Sequence, residues 1–170
     1  KALMENSPKP IYFTSAGSQD LEVILEMASH VLGGKDRLRE KPFIIHYAEP
    51  ISPLVHSCGA VDKLFMCADN GIPLNYSPAL LSGGSGPVTL AGTIALANAE
   101  ALAGIALTQM IRPGVPVLYG FQSTAADLRT GGISIGGPER SLCIAFGARL
   151  ARAYGLPSRG GGADSDAMDL

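Results

Sequence analysis

Residues 11–34, IYFTSAGSQDLEVILEMASHVLGG, decide the fold class. An apolar run over 11–14 gives way to the small-residue turn Ser15-Ala16-Gly17-Ser18. Leu21, Ile24, Leu25, Ala28, Val31 and Leu32 then recur at helical spacing, so the stretch reads as strand, turn, helix. Ser18 is the expected N-cap, with Asp20 and Glu22 in the first turn, where the helix dipole favours negative charge. Gly33-Gly34 closes the helix.

Outward from this unit the pattern repeats. Residues 43–48 predict a second buried strand, and 59–70 carry Val61, Leu64, Phe65 and Ala68 on one helical face before Gly71. A third strand is expected over 72–76, followed by the loop Ser82-Gly83-Gly84-Ser85-Gly86 and a long helix over 87–111, with Pro87 in its first turn. Arg112-Pro113-Gly114 stops that helix. A fourth strand over 115–119, a loop over 120–137, a helix over 138–154 and a fifth strand over 156–159 complete the reading. Apolar strands alternating with helices indicate an α/β fold built on a parallel sheet covered by helices. An eight-unit barrel takes about 250 residues, so parallel (β/α) units over residues 1–170 fit roughly half of a TIM barrel, or a small doubly wound sheet. Periodicity alone leaves both open.

With 46% hydrophobic and 16% charged residues among 170, the chain can bury a core. Thirteen basic and fifteen acidic residues are interspersed, which gives no basic face for phosphates and argues against nucleic acid as a partner. Cys58, Cys67 and Cys143 are widely spaced, with no paired C-x-x-C, so reduced thiols and a cytoplasmic location are expected. The start lacks the apolar core of a signal peptide. Its lack of an initiator Met, and an end just past a Gly-rich stretch, suggest part of a longer chain.

The helix over 87–111 is dominated by Ala, Gly, Leu and Ile, and a membrane span must be weighed. A central Glu100 would cost about 2.5–3.5 kcal/mol there, and Asn98 adds to that, so we read a helix wedged between its neighbours and no membrane partner. Free N–H groups in the loop Gly83, Gly84, Ser85, Gly86 could hold an anion, or the loop is a structural turn; it is neither a Walker loop nor a dinucleotide fingerprint. His30, His46 and His56 have no metal-ligand spacing, so no metal site is expected. In an α/β barrel the active site lies at the carboxyl ends of the strands, which selects Glu49, Tyr76, Gln122 and Arg129 as candidate substrate-binding residues. Each has a bland alternative. Glu49 could serve a structural ion pair, and Arg129 could pair with Asp127. No catalytic residue can be assigned.

The run GGSGPVTLAGTIALANAEALAGIALTQMIRPGVPVLYG, residues 83–120, closely resembles the central signature of the trimethylamine methyltransferase family. ADLRTGG (126–132), GGPE (136–139) and YGLPSRGGGADSDAMD (154–169) are similar to further family segments in the same order, and EPISPL (49–54) upstream also looks like the family. The resemblance implies a TIM barrel that transfers a methyl group from a small methylated amine to cobalamin held by a separate corrinoid protein, with no cofactor bound directly. Some members carry pyrrolysine in the segment matching 160–166. Here that segment, including Gly162 and Ala163, holds standard residues only. This points away from trimethylamine and toward glycine betaine or another quaternary amine, whose nitrogen already leaves as a neutral amine. A cation-friendly wall of aromatic rings and carboxylates would then serve better than a triad or a metal. The competing readings are a phosphate- or anion-binding α/β protein and an inactive structural part of a barrel, and an exposed sheet edge leaves self-association open.

Overall fold

The computed structural model describes residues 2–161. In chain order these form α1 (Ala2–Asn6), β1 (Ile11–Phe13), α2 (Ser18–Leu32), α3 (Lys35–Glu40), β2 (Ile44–Ala48), α4 (Cys58–Asn70), β3 (Leu74–Tyr76), β4 (Leu81–Ser82), α5 (Leu90–Ile111), β5 (Val117–Leu118), β6 (Thr124–Asp127), β7 (Gly132–Ser134) and α6 (Pro138–Ala153). β1, β2, β3 and β5 make one sheet in that order, parallel throughout. The fifth strand of the sequence reading is present as a parallel bridge between Tyr119 and Ser158. Gly120 makes that approach possible, because a Cβ there would lie 2.1 Å from the carbonyl oxygen of Arg159.

Two helix starts differ from expectation. Gly17, not Ser18, is the N-cap of α2, and its N–H donates to the Asp20 carboxylate at 3.2 Å. α5 begins at Leu90 rather than Pro87, with the Thr89 hydroxyl accepting from the Gly92 N–H at 3.2 Å. The expected loop over 120–137 contains β6 and β7, which pair antiparallel; β6 also runs parallel to β4, making a second, three-stranded sheet. β4 and β6 are outward continuations of the chain beyond β3 and β5. Gln122 N–H donates to Pro78 O and Thr124 N–H to Leu80 O, carrying the pairing past the carboxyl end of the main sheet.

Register divides the main sheet into two faces. Ile44, Ala48, Leu74 and Tyr76 pack on Leu21, Leu25 and Ala28 of α2 and on Leu64 and Cys67 of α4. Tyr12, Ile45, Tyr47, Asn75 and Leu118 share the opposite parity, away from the helices. The Arg159 guanidinium reaches across this second face to lie 4.8 Å from the centroid of the Tyr12 ring. A flat sheet would separate the two strands by four spacings, about 19 Å, so the sheet curls toward this face as a barrel wall does. The fold is thus α/β, with the form of a partial (β/α) barrel.

α5 is long and apolar enough to cross a membrane, with a mean hydropathy of 1.6. Its polar side chains nevertheless tie it into this fold. Thr93 bonds Pro87 O and Ser82, Asn98 accepts from Tyr119 and Tyr154, and Gln109 caps the turn at Gly114 and Val115. Glu100 is fully buried, which for a carboxylate requires donors, and it has two: Ser52 Oγ at 2.7 Å and Leu54 N at 2.6 Å.

Candidate functional site

The inward face of the sheet gathers the chemistry. Tyr12 on β1 donates to Asn75 Oδ1 on β3 at 2.8 Å, and Asn75 Nδ2 donates to Leu118 O on β5 at 3.0 Å, a polar chain laid across the strands. The Tyr47 ring on β2 lies 5.9 Å from that of Tyr12. Glu49, one residue past β2, shares the parity of Tyr47 and is exposed at the carboxyl end, where it accepts a short hydrogen bond from the Tyr47 hydroxyl.

Burial pushes the Tyr12 phenol up to about 12, with Arg159 pulling it down and Glu49 pushing it up. Tyr47 is raised further by burial, by its bond to Glu49 and by the Glu49 charge. Both phenols therefore stay protonated and act as donors and as π faces, not as bases. Arg159 is held by its backbone N–H, which donates to Tyr119 O at 2.9 Å, and by the face of Tyr12; its Nη1 is buried with no partner among the described residues. Two phenol rings, a carboxylate and a partly unpaired guanidinium thus share one face, a set suited to a cation at one end and an anion at the other.

Of the residues selected from sequence, Glu49 alone belongs to this set. Tyr76 ends β3 but has the other parity: it is buried under α5, a Cβ on Gly104 would lie 2.1 Å from its ring, and its hydroxyl meets His56 Nδ1 at 2.8 Å. Gln122 lies where β5 passes toward β6, and its Oε1 accepts from Arg140 at 3.4 Å. Arg129 is exposed on the β6–β7 turn, where its backbone N–H, at 2.9 Å from Asp127 Oδ1, supports the turn. The Thr130 hydroxyl and that N–H hold the Asp127 carboxyl below its ordinary range.

The loop expected to cradle an anion spends its three glycine amides internally. Gly83 N–H donates to the carbonyls of Gly86 and Pro87, and Gly84 and Gly86 N–H donate to Leu81 O. The Ser85 Oγ accepts from Leu81 N at 3.0 Å, tying the turn to β4. This is the geometry of a closed turn. Gly162 and Ala163 lie outside the described residues. Among the described residues no cluster of His, Cys, Asp and Glu could hold a metal ion. Among the described residues no histidine faces the inward side: His30 lies on α2, His46 is buried with the helix-facing parity, its Nε2 3.1 Å from Ser15 Oγ, and His56 stacks on Tyr76.

Tyr12, Tyr47 and Arg159 were missed by sequence reasoning because they sit within or beside strands, where an apolar run hides which residues face inward. Counting back two residues from Glu49 at the strand end would have found Tyr47.

The trimethylamine methyltransferase family model matches residues 1–170. A glycine betaine methyltransferase of Desulfitobacterium hafniense (strain Y51) is 40% identical over 167 residues, covering 98% of this chain and 35% of that protein. A trimethylamine methyltransferase of Desulfitobacterium hafniense (strain DSM 10664 / DCB-2) is 36% identical over 171 residues, covering 99% of this chain and 34% of the relative. One from Methanosarcina barkeri is 38% identical over 165 residues, covering 96% and 33%. The chain spans about a third of the length of these curated relatives.

Proposed function

Because the chain belongs to the trimethylamine methyltransferase family, we propose that the whole protein moves a methyl group from a quaternary amine of the betaine type to the corrinoid of a partner protein. The observation that carries this reading is the inward set of Tyr12, Tyr47 and Glu49 at the carboxyl end of a curled parallel sheet. Phenol rings and a carboxylate attract an ammonium group without reacting with it.

A quaternary nitrogen needs little else. As the N–C bond of the departing methyl breaks, its electron pair stays on nitrogen, which leaves as a neutral tertiary amine. No general acid has to protonate it, and the raised phenols of Tyr12 and Tyr47 agree with a wall that holds its protons. The corrinoid supplies the nucleophile that accepts the methyl group. The residues of this chain orient the cation, exclude water and set the Glu49 side chain beside it. Standard residues over 160–166, where some relatives carry pyrrolysine, favour a quaternary substrate over trimethylamine.

The test is to supply the full-length protein with glycine betaine, choline or trimethylamine in the presence of reduced corrinoid and to follow the visible spectrum. Methyl transfer from a quaternary amine is expected. Robust transfer from trimethylamine with none from any quaternary amine would overturn the reading.

A further inference from the structure

Arg159 is more than a cation site requires. An ammonium group is attracted by rings and carboxylates and repelled by a guanidinium, so an arginine on the same face needs a reason of its own. Its ring contact and backbone bond fix its position: 4.8 Å from the Tyr12 centroid, with the chain anchored on Tyr119. Tyr12 is itself fixed through Asn75. What remains is Nη1, buried and without an acceptor among the described residues, a state that is destabilising unless a ligand completes it. Both charges lie near enough to Tyr12 to act on its phenol, Arg159 lowering its pKa and Glu49 raising it.

We propose that Arg159 is an anion subsite that binds the carboxylate of a zwitterionic substrate whose cationic end lies toward Tyr47 and Glu49. A guanidinium edge meets a carboxylate through two parallel N–H bonds, a geometry a lysine cannot reproduce. Arg129, the other candidate for this role, is exposed on the β6–β7 turn and lacks the enclosed position. The identity of the cationic end rests on the methyl-transfer reading; the anion subsite rests on the geometry of Arg159.

Three probes separate the two. Glycine betaine carries both charges, 3,3-dimethylbutanoate carries the carboxylate on an uncharged tert-butyl group, and choline carries the ammonium alone. Binding of each to the full-length protein is measured by calorimetry without corrinoid, for the wild type, Arg159→Gln and Arg159→Lys, with thermal melting as the folding control. Loss of a charge-assisted pair should weaken glycine betaine and 3,3-dimethylbutanoate by about 30-fold or more in Arg159→Gln, and choline by less than about 3-fold. Arg159→Lys should fall between, and it decides the matter if Arg159→Gln does not fold. Equal losses for choline, or wild-type binding with no preference for the carboxylate-bearing probes, would overturn the subsite. Arg159-dependent binding of 3,3-dimethylbutanoate alongside no methyl transfer from any quaternary amine would sink the methyl-transfer reading and leave the subsite standing.

Discussion

The two faces of the parallel sheet are made from the same few residues of chain and obey different rules. On the helix side, Ile44, Ala48, Leu74 and Tyr76 close a dry core with α2 and α4, and volume decides what can stand there. On the inward side, Tyr12 donates to Asn75, Tyr47 donates to Glu49 and Arg159 lies over the Tyr12 ring, so polarity decides. Stability and ligand recognition are therefore separable by parity. A substitution on one side should move melting temperature with little effect on recognition, and one on the other should do the reverse.

The severest test of that separation is Gly104→Leu. Its Cβ would meet the Tyr76 ring at 2.1 Å, and α5 would have to lift off the sheet; a loss of about 3 kcal/mol or more is expected by chemical denaturation of the full-length protein. Retained stability would mean that the helix side is loosely packed.

Second in size is a pH effect that belongs to the helix side alone. Burial, and then the charge of Lys63, lowers His46 from 6.5 to about 4. A folded-state value below the unfolded one means that stability is fully present above pH 6.5 and is lost as pH falls toward 4, on the order of 3 kcal/mol by the lower limit. Urea midpoints between pH 7 and pH 4.5 should fall in the wild type and fall less in His46→Gln. Parallel curves would remove His46 as the source.

Tyr47→Phe probes the other face. It keeps the ring and removes the donor to Glu49, so melting should change little, while binding of a quaternary amine weakens by about 1 kcal/mol, the net worth of one hydrogen bond. A large stability loss without a change in binding would reverse the assignment of the inward face. The smallest effect is expected at Arg129, which belongs to neither face: Arg129→Ala should change stability by less than about 0.5 kcal/mol and leave glycine betaine binding as it was.

The parallel units were legible because short apolar runs alternate with helical segments, as where Leu21, Leu25 and Ala28 recur on one face of α2. The second sheet was not. Its strands are two to four residues long, and Thr124-Ala125-Ala126-Asp127 lacks both alternation and bulk, so its pairing is set by where β3 and β5 deliver the chain. The site was half legible for the same reason. Glu49 announces itself as a carboxylate at a strand end, while Tyr12 and Tyr47 lie in IYF and IIHYA, where nothing in the letters says which alternate residues face inward. Register across three strands supplies that, and it is a tertiary fact.

The buried Glu100 gives the rim of the site a mechanical character. Its two bonds fasten Ser52 and Leu54, in the loop that carries Glu49 away from β2, to the middle of an outer helix, and Leu54 is held at φ 59, in the left-handed region. That loop is thus hung from α5 like a bracket from a beam. A shift of α5 along its axis drags Ser52 and Leu54 with it, and a force on the loop is passed to the helix. A spectroscopic label at Met110, exposed near the far end of the same helix, would then report on events at the rim without touching it.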